Sequence, residues 1–109
     1  MRLGIIEHID SAHFIPGHKT CEKMHGHTYK IEVKIEGTKD KSGMIIDFYE
    51  IKKMVKEVLE EYDHHPLNEL IKNPTCENLC ESIHSKLKDR LDFPFTLKIW
   101  EGRDKWVEI

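Results

Sequence analysis

The chain has 109 residues, which is enough for one domain and too few for a second hydrophobic core. Charged residues make up 34% of it and the formal net charge is −3, so neither a nucleic acid nor an anionic membrane is an expected partner. No apolar run approaches the roughly 20 residues of a membrane span, and no signal peptide is visible. The 3 cysteines, an odd number without an export signal, indicate free thiols and a cytoplasmic location.

An alternating pattern predicts a first strand over residues 2–13, followed by a loop over residues 14–24 that contains Pro16 and Gly17. His13 falls on the same face of this strand as the apolar residues Leu3, Ile5 and Ile9. Because one face of a half-buried strand is protected from solvent, we expect the imidazole of His13 to lie on the protected side.

The second predicted strand, residues 25–36, begins with a His-Gly-His sequence. His25 and His27 share the parity of the apolar residues that follow, which are Tyr29, Ile31, Val33 and Ile35. Two residues along a strand advance roughly 6.5 Å, so two imidazoles on one face can converge on one ion. Gly26 has no side chain and lets another backbone or a ligand approach closely.

His13, His25 and His27 together could hold a zinc ion. Three neutral imidazoles leave a fourth position open, which is the arrangement of a catalytic zinc site. The alternative is that they are ordinary strand histidines with satisfied hydrogen bonds. Cys21, four residues before His25, favours the metal interpretation, because a thiol beside a cation ionises readily and can act as a base or a nucleophile.

The first of two predicted amphipathic helices follows Asp47. This residue is the predicted N-cap, and Glu50 completes a capping-box pattern. Apolar residues then recur at helical spacing as far as Tyr62. The residue before Pro66 is pushed out of helical geometry, so the helix is expected to end before it.

The second predicted helix begins after the N-cap Thr75. Its predicted buried face consists of Leu79, Ile83, Leu87 and Leu91. Cys76 and Cys80 lie four residues apart and share a face. They could form a metal pair, but we expect small buried hydrophobic side chains.

The last predicted strands cover residues 95–101 and 106–109, with a turn between them. Glu101 ends a row of apolar residues on one face, where a solvated surface charge is not expected. The predicted order ββααββ, with hairpins at both ends and helices in the middle, indicates one α+β domain over residues 1–109.

Asp63 and His64 stand next to each other at the end of the first helix. An Asp-His pair in that position can tune and relay a proton. The alternative is that Asp63 only contacts the loop and that His64 is a surface residue.

Taken together, these groups resemble the 6-pyruvoyltetrahydropterin synthase/6-carboxytetrahydropterin synthase family. The matching elements occur in the family's order and spacing; they are Ser11-Ala12-His13, Cys21-X-X-X-His25-Gly26-His27, Ile46-Asp47-Phe48, Asp63-His64-X-X-Leu67-Asn68, Pro74-Thr75-X-Glu77-Asn78 and Glu101.

The resemblance implies the tunnelling fold, in which protomers join into trimers around a β-barrel and trimers pair into a homohexamer with sites at subunit interfaces. It implies that the three histidines hold zinc and that Cys21 accepts the substrate proton. Asp63 and His64 would form the proton relay. The pterin would be anchored by Glu101, with the pocket also lined by Thr75 and Glu77.

The resemblance also implies the substrate, 7,8-dihydroneopterin triphosphate. The short gap between Cys21 and His25 resembles the branch that forms 6-carboxy-5,6,7,8-tetrahydropterin, acetaldehyde and triphosphate, on the route to queuosine and other 7-deazaguanine bases. The alternative within the family is 6-pyruvoyltetrahydropterin synthase. A different class of protein, a non-enzymatic zinc-binding module with Cys21, His25 and His27 as structural ligands, would need a closed site and would unfold on chelation.

Overall fold

The computed structural model covers residues 1–109. The elements in chain order are the strands β1 (Arg2–His13) and β2 (His25–Glu36), the helix α1 (Phe48–Leu59), a short 3-10 helix (Leu67–Glu69), the helix α2 (Cys76–Lys88), and the strands β3 (Phe95–Glu101) and β4 (Lys105–Glu108). This is the predicted ββααββ order of an α+β domain. Neither helix is long and apolar enough to cross a bilayer.

The four strands form one antiparallel sheet in the order β1-β2-β3-β4. In β1 and β2, His13 pairs with His25 and Ser11 pairs with His27. Between β2 and β3, Tyr29 pairs with Glu101. The end of β1, the start of β2 and the end of β3 therefore lie side by side at one end of the sheet.

Both helices cover the same face of the sheet. The buried residues of α1 are Ile51, Val55, Val58 and Leu59, and those of α2 are Leu79, Cys80, Ile83 and Leu87. They pack with the odd-numbered residues of β2 and β3 into one core of 18 buried residues. Strand alternation turns the even-numbered residues to the opposite, outer face, which no element of the chain covers.

The helix N-caps act as the sequence predicts. An Asp47 side-chain oxygen accepts from the backbone N–H of Tyr49, and Thr75 Oγ1 accepts from that of Asn78. The cap on α1 is a single bond, because the side chain of Glu50 makes no return hydrogen bond to Asp47. Each cap satisfies one of the N–H groups that a helix start leaves without a partner.

Three local features differ from the sequence-based expectation. Helix α1 ends at Leu59, although Tyr62 is still fully buried in the turn that follows. The apolar run Met44-Ile45-Ile46, which by its sequence is expected to be a short extended segment, instead has bends at residues 45 and 46. The 3-10 helix Leu67–Glu69 lies where no element is predicted, because a one-turn element has too few residues to show a period.

Candidate active site

Three histidines converge on the helix-covered face at the end of the sheet. The ring centroids of His13, His25 and His27 are 4.6, 5.0 and 4.8 Å apart. One nitrogen from each ring lies within 4.8 Å of the others. The strand register causes this convergence, because it places His13 directly opposite His25 and puts His27 two residues further along the same face.

Hydrogen bonds fix the tautomers of two of the rings. The Nδ1 of His13 lies 2.7 Å from the carbonyl oxygen of Pro74, and the Nδ1 of His25 lies 2.7 Å from that of Lys23. A carbonyl can only accept, so both Nδ1 atoms carry protons and both neutral rings present an Nε2 lone pair. These two Nε2 atoms face each other at 3.0 Å.

This donor set fits a metal ion. Two lone pairs at 3.0 Å repel each other unless a proton or a cation lies between them. Ligand nitrogens on a tetrahedral zinc ion are separated by about 3.3 Å, given Zn–N bonds of about 2.05 Å. The third ring supplies another free nitrogen, because the buried Nε2 of His27 has no hydrogen-bond partner.

His27 is held neutral by its surroundings. Burial lowers its pKa, the Glu101 carboxylate opposes this shift, and His13 and His25 reinforce it. The Nε2 of His27 lies 3.7 Å from Glu101 Oε1, which is too long for a hydrogen bond. A neutral imidazole is the form that binds metal, so the pKa shift favours the ligand role.

Tyr29 connects this cluster with Glu101. Its hydroxyl lies 3.4 Å from the Nδ1 of His13, and its backbone pairs with Glu101 across the sheet. Burial raises the pKa of Tyr29, and the Glu101 carboxylate adds to the rise. The phenol therefore stays protonated and remains a donor beside the carboxylate.

A cavity of about 370 Å³ is lined by Glu101, whose Oε1 lies 3.7 Å from His27, and by none of the three clustered histidines. It brings together four residues that the sequence predicts for the site, namely Cys21, Thr75, Glu77 and Glu101. The side chain of Glu101 is only 20% exposed. The one basic side chain within 4 Å of this carboxylate is the neutral His27, at 3.7 Å. The carboxylate therefore has no cationic partner and is free to accept hydrogen bonds from a ligand.

Asp63 and His64 do not line this cavity and instead contact Asp10 at the edge of β1. The Nδ1 of His64 lies 2.9 Å from Asp63 Oδ1, which also accepts the backbone N–H of Asp10 at 2.9 Å. The backbone N–H of His64 donates to the carbonyl of Asp10 at 2.7 Å and helps to hold His64 at a φ of 58°. The pair is therefore ordered on the open edge of β1.

His64, but not Asp63, lines a second cavity, of about 490 Å³, together with His27. The structure thus brings Asp63 and His64 near the histidine cluster but does not place them in the cavity of Cys21. The side chain of His64 is 76% exposed, so it is accessible to a substrate or to another protomer.

The sequence of residues 2–109 matches the family description "6-pyruvoyl tetrahydropterin synthase". The chain belongs to this family. The fold agrees, because the structure of Caenorhabditis elegans 6-pyruvoyl tetrahydropterin synthase superposes with a TM-score of 0.90 at 23% identity, over 100% of this chain and 94% of that one.

Two curated relatives of the family carry different names. An Archaeoglobus fulgidus protein, provisionally named 6-carboxy-5,6,7,8-tetrahydropterin synthase, is 44% identical over 100% of this chain and 95% of its own length. A Pyrococcus furiosus protein named dihydroneopterin monophosphate aldolase is 38% identical over 92% of this chain and 89% of its own length. Close sequence similarity within the family therefore spans two named activities.

The sequence-based prediction missed several residues of the Cys21 cavity. The other lining residues are Ile15, His18, Cys76, Lys105, Trp106 and Val107. Lys105 could have been found, because a tight hairpin turn after Glu101 places it opposite that residue. His18 stands three residues before Cys21 in an irregular loop, where no periodicity indicates which way a side chain points. Cys76, predicted to be buried, is partly exposed to this cavity.

Proposed function

We propose that this protein is a zinc-dependent 6-carboxy-5,6,7,8-tetrahydropterin synthase that acts on 7,8-dihydroneopterin triphosphate, in the cytoplasm, in queuosine biosynthesis. The observation that supports the proposal is a cluster of three convergent histidines next to Glu101, which lines a cavity together with Cys21. The name of the A. fulgidus relative supports the same activity, and the similarity to that protein extends over the whole of this chain. Free cysteines agree with a reducing compartment.

His13, His25 and His27 are the residues that would hold the zinc ion. When bound there, the ion would supply Lewis acidity toward hydroxyl oxygens of the substrate side chain, which makes the neighbouring C–H more acidic. The hydrogen bonds from the Nδ1 atoms to Pro74 and Lys23 orient two of the ligand rings, as is usual for metal-bound histidines.

Glu101 binds the pterin ring in this proposal. A carboxylate that is mostly buried gains most from a planar edge with two N–H donors, and the amino-pyrimidine edge of a pterin presents one. Thr75 and Glu77 line the same cavity at the start of α2. Thr75 Oγ1 already caps this helix, so its contribution to binding is to hold the helix start in place.

Cys21 is the proposed proton acceptor at the substrate side chain, and its thiol shares the cavity with Glu101. Asp63 orients His64 through their 2.9 Å contact, and the pair would relay the proton. Since neither residue lines the Cys21 cavity of its own protomer, we propose that a neighbouring protomer of a homohexamer supplies the pair to the site.

A second candidate activity is carbon–carbon cleavage of dihydroneopterin monophosphate, as the name of the P. furiosus relative states for that protein. The same base, zinc site and pterin anchor serve both reactions, because each begins with removal of a proton from the substrate side chain. The 6-pyruvoyl reaction, which eliminates triphosphate, is the third possibility within the family.

The test is to incubate the zinc-loaded protein with dihydroneopterin triphosphate and, separately, with the monophosphate. Mass spectrometry then identifies the pterin product. We expect 6-carboxytetrahydropterin, acetaldehyde and triphosphate from the triphosphate. A product only from the monophosphate would establish the aldolase activity, and 6-pyruvoyltetrahydropterin would establish the third reaction.

A further inference from the structure

The loop over residues 14–24, which carries Cys21, is tied to the 3-10 helix at Phe14 by two hydrogen bonds with the side chain of Asn68, both at 2.9 Å. Its internal backbone bonds run from the N–H of Ile15 to the carbonyl of Cys21, at 2.6 Å, and from the N–H of His18 to the carbonyl of Ile15, at 3.2 Å. Residues 16–20 are all exposed. Apart from the Ile15–Cys21 backbone bond, the hydrogen bonds that hold the Cys21 end of the loop involve side chains within the loop.

One side-chain atom, the Nδ1 of His18, makes most of these contacts. It accepts the backbone N–H of Cys21 at 3.1 Å and that of Thr20 at 3.3 Å. The hydroxyl of Thr20 lies 3.2 Å from the same atom and 3.7 Å from the Cys21 sulfur. A single acceptor thus orients both the backbone of Cys21 and the hydroxyl nearest to its thiol.

These contacts determine which ring nitrogen carries the proton. An Nδ1 that accepts two backbone N–H groups must present a lone pair, so the proton of the neutral ring is on Nε2. His18 lines the same 370 Å³ cavity as Cys21 and Glu101. The Nε2–H is then a hydrogen-bond donor beside the thiol and the pterin anchor, and it has no acceptor within the chain.

We propose that His18 positions the Cys21 thiol through Nδ1 and donates from Nε2 to an oxygen atom of the substrate side chain. The proposal rests on the proposed role of Cys21 as the base. A base has to lie within hydrogen-bonding reach of the proton that it removes, and a displacement of about 1 Å can cost roughly a hundredfold in rate. A loop without regular structure needs such an anchor to meet that requirement.

Two substitutions separate the two roles. In His18→Asn, the side-chain carbonyl oxygen can occupy the position of Nδ1 and accept the same N–H groups, but no donor reaches the position of Nε2. In His18→Gln, the amide can place a donor near the position of Nε2 and leaves no acceptor at that of Nδ1. His18→Ala removes both groups.

The first measurement is hydrogen exchange of peptides that cover residues 18–24, read by mass spectrometry on zinc-loaded protein without substrate. We expect the amides of Thr20 and Cys21 to exchange about three- to tenfold faster in His18→Ala and His18→Gln, as expected for loss of a typical hydrogen bond. His18→Asn should retain the exchange rates of the wild type. Unchanged exchange in His18→Ala would overturn the positioning role, as would fast exchange in His18→Asn.

The second measurement is steady-state kinetics on whichever pterin phosphate the wild type converts. We expect kcat to fall at least about tenfold in His18→Ala and His18→Gln, and to recover in His18→Asn with KM raised about fivefold or more. An unchanged KM in His18→Asn would overturn the donor role. The exchange measurement needs no turnover, so a failure of the proposed reaction would be distinguishable from a failure of this inference.

Discussion

Two imidazole nitrogens that each have a free lone pair face each other at the end of β1 and β2, at 3.0 Å. A third ring adds a buried nitrogen without a partner. At the scale of single residues, this arrangement is stable only if something positive lies between the rings, because buried polar atoms without partners destabilise the folded state. The histidines are therefore the first target for mutation.

We expect His27→Ala to lose zinc and to keep its fold. The core of 18 buried apolar residues does not include the three histidines, so removing the ion leaves the packing intact. Metal analysis and circular dichroism measure the two properties, with His8→Ala, an exposed histidine on the outer face, as the control that should retain zinc. Full zinc occupancy in His27→Ala would remove it from the metal site.

The Cys21→Ala variant tests whether Cys21 is a catalytic base or a metal ligand. Because three histidines remain, we expect this variant to keep about one zinc ion per chain, while turnover falls by roughly 10²–10⁴-fold, as expected for loss of a positioned acid–base group. The control is Cys80→Ala, which removes a buried thiol that does not line the cavity. A Cys21→Ala protein without zinc would instead indicate a structural ligand.

Glu101→Gln keeps the shape of the side chain but presents an amide N–H to a pterin edge that only donates. Binding of a pterin substrate should weaken by about 2 kcal/mol or more, as expected when a buried charged hydrogen bond is lost. Fluorescence titration with the pterin measures the affinity, and Glu108→Gln on the exposed part of β4 is the matched control. Equal affinities in the two variants would exclude Glu101 from the pterin site.

At the scale of elements, helix α2 gives a stability prediction that depends on pH. Burial raises the pKa of Cys76 to about 12 and that of Cys80 to about 11. Above pH 9, Cys76 and Cys80 lose their protons in the unfolded chain but retain them in the folded chain. The free energy of unfolding therefore falls as pH rises. We expect the melting temperature to fall between pH 9 and pH 11, and to fall less in Cys76→Ala. Identical pH profiles would show that Cys76 ionises as freely as an exposed thiol.

The elements themselves were predictable because their patterns are local. Alternation from Thr28 onward identified β2, and the N-caps Asp47 and Thr75 were correctly located. The pairing of His13 with His25 was not fixed by sequence, since the long loop between them permits more than one strand register. The role of the loop side chain His18 could not be predicted either, because its hydrogen bonds follow no repeating pattern.

The whole molecule is more open than a compact monomer of its size. Its radius of gyration is 15.0 Å, compared with about 13 Å expected for a compact domain of this length. Its accessible surface is 7082 Å², compared with roughly 6,300 Å² expected for its mass. The sheet also ends in two different edges, β1 and β4. Pairing of unlike edges joins protomers head to tail and forms a ring when the rotation between them closes, which is the assembly that the proposed homohexamer needs.

The free edge of β1 is expected to form hydrogen bonds with a neighbouring protomer. Asp10 directs its backbone N–H and carbonyl away from β2, toward Asp63 and His64. Since these groups alternate along an antiparallel strand, the N–H of Ile6 also points outward, where the chain offers it no partner. Ile6→Pro should therefore remove one hydrogen bond to a neighbouring protomer while the pairing of β1 with β2 persists.

We expect light scattering to give the mass of a hexamer of 12.9 kDa chains for the wild type and a smaller species for Ile6→Pro. Ile6→Ala, which keeps the N–H and loses the side chain, should remain assembled. If a neighbouring protomer supplies Asp63 and His64, the dissociated Ile6→Pro protein should keep its zinc and its circular dichroism but lose turnover. A dissociated variant with full turnover would show that one protomer contains the complete site, and an Ile6→Pro hexamer would exclude this edge from the interface.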